Sequence, residues 1–172
     1  AVPSFINGQF WAEVFFLGME YEAFTVTPWC IQESDRNQTY FGYIGSPPEF
    51  ILHSTFHHME LMTKYMKGTF IKLRSSNPYL KAFATKRGGR VNIMLMNQEK
   101  DKTVDFDFSH MNEESKIAEV SIFSDAEVNV SHKGSIAADS TIIYLFNEAG
   151  ELEEQVEYTM EMTRKNLPPK KK

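Results

Sequence analysis

The sequence predicts an α+β protein: an N-terminal helix–strand–helix segment followed by an antiparallel β-sandwich of about eight strands. Three observations predict it. Apolar residues recur at three- and four-residue spacing before Gly68. They alternate with polar residues after it, and Gly, Pro, Asn and Asp break that later half at short intervals.

The elements follow in order. Residues 7–24 read as a helix with Asn7 as N-cap and Phe10, Trp11, Val14, Phe15 and Gly18 as its buried stripe. The β-branched and aromatic run 25–31, with Pro28 near its end, reads as a strand. Residues 32–45 form a long polar loop bearing aromatics, and long loops in compact domains are often functional. Ser46, Pro47 and Glu49 look like a capping box with Pro at the first helical position. The helix they open would carry Phe50, Leu52, Phe56, Met59, Met62 and Met66 and stop at Gly68.

Strands are expected at 70–73, 80–86, 91–96, 103–109, 117–123, 127–131, 142–146 and 152–158. Gly88-Gly89 reads as a hairpin turn. Val104, Phe106 and Phe108 point one way and Asp105 and Asp107 the other, while 142–146 is apolar on both faces and should be central. The expected divisions are residues 1–68, 69–164 for the sandwich, and a disordered basic tail at 165–172.

Composition narrows the function classes. With 172 residues, 42% hydrophobic and 24% charged, the chain can bury a core and is not a disordered segment. A net charge of -5 argues against a general nucleic-acid binder, since phosphate binding needs concentrated basic surface. The one basic cluster, Lys170, Lys171 and Lys172, follows two prolines and reads as a tail. No apolar run is long enough to span a bilayer. Cys30 is the single cysteine, so no intrachain disulfide forms, which suits the cytoplasm or a secreted protein that does without disulfides. The start Ala1-Val2-Pro3-Ser4 has neither a charged n-region nor an initiator Met, and reads as a mature or truncated chain.

Several phrases together suggest a family. They are Trp29-Cys30-Ile31-Gln32-Glu33-Ser34, Tyr40-Phe41-Gly42-Tyr43, Tyr65-Met66-Lys67-Gly68-Thr69, Ser75-Ser76-Asn77-Pro78 and the strand Val91-Asn92-Ile93-Met94-Leu95-Met96-Asn97. In this order they resemble the C-terminal part of a TIM-barrel glycoside hydrolase with its C-terminal sandwich, of the arabinofuranosidase, xylosidase, endoglucanase or agarase type. The resemblance implies that residues 1–68 are the last elements of a (β/α)8 barrel, with 25–31 as barrel strand eight. It implies a polysaccharide or oligosaccharide ligand, a secreted or periplasmic location, and the missing N-terminal barrel portion as partner. Such retaining enzymes carry their two carboxylates on barrel strands four and seven, so no catalytic residue is expected here. The alternative is a non-catalytic β-sandwich that binds carbohydrate or serves adhesion.

The resemblance also implies that Trp29, at the end of strand eight, stacks on a sugar ring; an indole offers a rigid apolar face for this. Glu33 and Asp35 would bond sugar hydroxyls, and Tyr40, Phe41 and Tyr43 would complete the rim. Read from the residues alone, Glu33 and Asp35 are an acid/base pair or a solvated ion-pair loop beside Arg36. His53, His57 and Glu60 recur at i, i+4 and i+7, a spacing that suits zinc, but Ser54 stands where the zincin pattern has Glu. No metal and no cofactor is expected. Asn37-Gln38-Thr39 and Asn129-Val130-Ser131 match the glycosylation triplet.

Overall fold

A computed structural model of the protein describes residues 2–28, 30–32, 42–109, 111, 122–124 and 126–172, with the side chains of 2 and 3 excepted. The chain divides into two compact units, Ala1–Lys64 with Tyr158–Pro169, and Tyr65–Glu157 with Lys170–Lys172. It is an α+β protein whose N-terminal helix precedes antiparallel sheets.

In the first unit, α1 spans Val2–Glu20. Its buried stripe is Phe5, Gln9, Ala12 and Phe16. This corrects the expected stripe: Phe10 is half exposed and Trp11, Val14 and Phe15 are only partly covered. Asn7 lies inside the helix rather than at its cap. The helix ends in a Schellman motif. Glu22 adopts the left-handed region at φ 52, Ala23 N–H donates to Gly18 O at 2.8 Å, and Glu22 N–H donates to Met19 O at 3.3 Å.

No strand forms among the described residues of 25–31; only a single parallel bridge joins Gln32 to Ile44. Helix α2 spans Ser54–Tyr65, eight residues later than the apparent capping box. Residues 47–49 form a turn instead, the Pro47–Pro48 bond is cis, and Phe50 sits at φ 46, which no helix accommodates. The real helix start is set from a distance. Ser54 N–H donates to Ser4 Oγ of α1 at 3.2 Å, and Thr55 Oγ1 donates to Gly42 O at 2.7 Å. Helix α3, Met160–Arg164, closes the unit, with Thr159 Oγ1 accepting from Met162 N–H as its N-cap.

Among the described residues the second unit holds nine strands, counting the residues of β8 that run on into the first unit. They are β1 Thr69–Ser75, β2 Leu80–Arg87, β3 Arg90–Asn97, β4 Val104–Asp107, β5 Ile122–Ser124, β6 Lys133–Ile136, β7 Ser140–Phe146, β8 Leu152–Thr159 and β9 Lys170–Lys171. Seven make one sheet in the order β5-β1-β2-β3-β7-β8-β9, and β4 and β6 make a second. Register aligns Ala84, Ile93 and Tyr144 on one face and Phe83, Met94 and Ile143 on the other. Both faces are buried, which explains why β3 and β7 read as near-continuous apolar runs. One core joins Leu80, Ile93, Leu95 and Tyr144 of the large sheet with Val104, Phe106 and Ile136 of the small one.

Two expected features of this half differ. Residues 127–131 alternate exposed and buried side chains, as a strand would, but join no ladder; the strand of this region forms later, at β6. The basic tail is not frayed at its end. Lys170 and Lys171 pair with Glu157 and Val156, and the acidic side chains of β8 hold them: Lys171 Nζ reaches Glu154 at 2.6 Å and Lys172 Nζ reaches Glu157 at 2.7 Å.

Candidate functional site

Of the five expected ligand contacts, Trp29, Glu33, Asp35 and Tyr40 lie outside the described residues, as does Phe41. Tyr43 is placed. Its N–H donates to Ile31 O and its carbonyl accepts from His53 N–H, both at 2.9 Å. Ile44 N–H donates to the same Ile31 carbonyl, and Gly45 N–H donates to Ile51 O at 2.8 Å. Residues 31–32, 42–45 and 51–53 are thereby laced into a small framework. Gly42 O is its knot, since His53 Nδ1–H donates to it at 2.9 Å beside Thr55 Oγ1. The Tyr43 ring is half-buried, and that burial pushes its phenol pKa up.

The proposed histidine face is not one face. His53 precedes α2, so only His57 and Glu60 share the helix, at 3.4 Å. Among the described residues, no group of three or more His, Cys, Asp or Glu is arranged to hold a metal.

A different cluster emerges at the start of α2, built from Ser4, Phe5, Ser54, His57, His58, Tyr158 and Thr163. Its polar members are buried. His58, 1% exposed, places Nδ1 at 2.9 Å from Ser54 O and 3.0 Å from Ser54 Oγ. The Tyr158 ring packs on three neighbours: Phe5 at 5.8 Å, His57 at 5.2 Å and His58 at 5.4 Å between centroids. Thr163 Oγ1 donates to the Tyr158 hydroxyl at 2.9 Å. Burial, aided by His57 beside it and opposed by the Ser54 carbonyl, lowers the His58 pKa to about 4. His57 is also lowered by burial, with Glu60 opposing.

The Ser54–His58 pair has the spacing of a nucleophile and its base, yet its geometry does not suit that chemistry. The neutral ring donates Nδ1–H to the Ser54 carbonyl, so this nitrogen has no lone pair for the hydroxyl proton. Ser54 is also fully buried, beyond reach of a substrate. No protein-family model, curated protein or solved structure matches the chain. The site therefore rests on its own geometry. Sequence reasoning missed this cluster because its members come from residues 4–5, 54–58 and 158–163; the doublet His57-His58 between Phe56 and Met59 was its one local signal.

The second unit has a polar cluster where β4 ends and β6 begins. Asp107 pairs with Lys133 at 2.8 Å and accepts from Ser109 N–H at 2.7 Å. His132 packs at 5.2 Å on Tyr144 and at about 6 Å on Phe106 and Phe108. Burial lowers its pKa.

Proposed function

We propose that this chain is the C-terminal portion of a carbohydrate-active enzyme of the glycoside hydrolase type. Its catalytic carboxylates lie on barrel strands outside it, and its two sheets form a sandwich that supports the barrel or binds polysaccharide.

The observation that carries this reading is the surface of α1. The helix is apolar around most of its girth, and a second stripe beside the buried one is bare: Ile6 is 47%, Phe10 50% and Leu17 39% exposed. At 100° per residue these three fall within about 40° of each other. The adjoining β-branched segment has the same character. Phe24 and Ile31 are exposed, and 25–28 take no part in a ladder. A helix with two apolar sides and an unladdered strand-like run is what the closing units of a barrel present without their neighbours. The core shared by the seven- and two-stranded sheets supports the sandwich.

The reading frame upstream of Ala1 tests this. Several hundred codons of alternating strand and helix pattern are expected, and a start codon directly before Ala1 would overturn it. The saccharide role has its own test. Glycan-array binding should weaken on Trp29→Ala; equal binding removes the platform. The alternative, a non-catalytic binding or adhesion module, draws on the self-contained core of the second unit, and it predicts glycan binding with no hydrolysis by the product of the whole gene.

A further inference from the structure

We propose that His57 and His58 form an acid-release catch on Tyr158: charging the pair frees α2 from Phe5 and Tyr158 and loosens the 42–53 segment that carries Tyr43.

The geometry is that of a clamp. His57 and His58 are adjacent in sequence, yet both rings lie against the one Tyr158 ring, at 5.2 and 5.4 Å. Phe5 of α1 meets His58 edge-on at 5.5 Å. The catch is therefore the shared contact of α1, α2 and the end of β8. It is lined by aromatic rings that accommodate a neutral imidazole and do not solvate an imidazolium.

Charged and titratable groups meet the pair from several elements. On α2, Glu60 engages His57 from the half-exposed side. From β8, Tyr158 offers a hydroxyl that accepts from Thr163, and burial raises its pKa, so it stays neutral. From α1, Phe5 and Gly8 face His58, and neither is titratable. On α3, Glu161 is exposed and paired with Lys165 at 3.0 Å. His53 donates to Gly42 O.

The order of events follows. Glu60 favours a proton on His57 first. That charge then opposes one on His58, where burial already disfavours it. Acidification thus accumulates unfavourable charge at one contact, and release of α2 into water relieves it. The first turn of α2 is tied through Thr55 and Gly42 O to the Tyr43 framework, so the release travels there.

The sign is fixed by linkage. A histidine whose folded pKa lies below its unfolded value makes the closed form lose stability as pH falls below about 6.5, and the loss levels off below the folded pKa near 4. His58 alone then favours opening about 20-fold more at pH 5 than at pH 7. Carboxylates titrate mainly below that window.

Amide hydrogen exchange of the whole chain at pH 7, 6 and 5 is the experiment, read as protection factors of α2 against those of β2, β3 and β7. Protection of α2 should fall about 20-fold by pH 5 while the strands keep theirs. His58→Gln should hold α2 protection nearly level, and His57→Gln should shrink the loss. Unchanged α2 protection in the wild type, or an equal loss in both variants, overturns the catch. Should His58→Gln not fold, the ring resonances of wild-type His58 decide. A ring that charges between pH 7 and 5 with α2 still protected overturns the proposal; a ring that stays neutral until α2 opens supports it. None of these readouts depends on the saccharide reading.

Discussion

Gly8 of α1 faces the imidazole Nδ1 of His58 and the hydroxyl of Ser54 with no space for a side chain between them. A β-carbon there would collide with both polar atoms and lie 2.8 Å from the Ser54 carbonyl oxygen. Alanine is the better helix former by about 1 kcal/mol. A clash against backbone, though, cannot be relieved by a rotamer change, and overpacking typically costs 1–3 kcal/mol. Gly8→Ala should therefore destabilise, by about 2 kcal/mol, as a lower denaturant midpoint for the first unit.

A second prediction concerns Asn97, fully buried at the end of β3. Its amide nitrogen donates to Lys102 O, Ile136 O and Ala137 O within 3.1 Å, and its Oδ1 accepts from Glu99 N–H at 3.0 Å. It ties the loop after β3 to the end of β6. Asn97→Asp keeps the shape but turns an oxygen toward three carbonyls. At pH 7 it should cost more than the roughly 1–3 kcal/mol of an ordinary unsatisfied buried group. Thermal unfolding compared with Asn97→Leu checks this, and the gap should narrow as acid protonates the new carboxyl.

How much of this was legible depends on where each element takes its instructions. Strands β2, β3 and β7 follow local alternation and apolar runs, and the sequence places them within a residue or two at most ends. The buried side of α1 was misread because residues 10, 11, 14 and 15 are as apolar as 5, 12 and 16, so spacing alone cannot choose a face. The start of α2 was misread for a different reason. Ser46 to Glu49 satisfies the local cap pattern, while the actual first turn is satisfied by Ser4, fifty residues away. Tyr43 was legible as a loop residue but not as part of a framework, since its partners Ile31 and His53 are ordinary in sequence. The remaining proposed sugar contacts lie at positions 29, 33, 35 and 40, outside the described residues.

The Asp107–Lys133 pair yields a pH-dependent prediction. Burial alone would raise the Asp107 pKa, but hydrogen bonds from Lys133 and Ser109 bring it down to about 2. A depressed carboxylate contributes stability that is present above its unfolded value of 3.8 and lost as pH falls toward 2. Lys133→Ala should thus destabilise the second unit at neutral pH and leave it equal to wild type near pH 2. Urea unfolding at pH 6, 4 and 2.5 follows the difference; an offset constant with pH would mean that Lys133 acts through packing instead.

The last prediction separates the two apolar sides of α1. Phe16 is fully buried, and Phe16→Ala should cost about 3–5 kcal/mol. Phe10 and Leu17 lie on the bare stripe, and Phe10→Lys with Leu17→Lys should change the stability of this chain by less than about 1 kcal/mol, because each side chain already meets water. The same pair should lower binding of a hydrophobic dye and improve solubility by breaking the stripe. If the proposed barrel precedes this chain, the result should invert in the longer protein: two lysines placed against the barrel elements would be desolvated, and the protein should fail to fold or lose the proposed hydrolytic activity. Indifference to the substitutions in both contexts would mean that the stripe faces solvent in the whole protein as well, and the barrel reading would lose its main support.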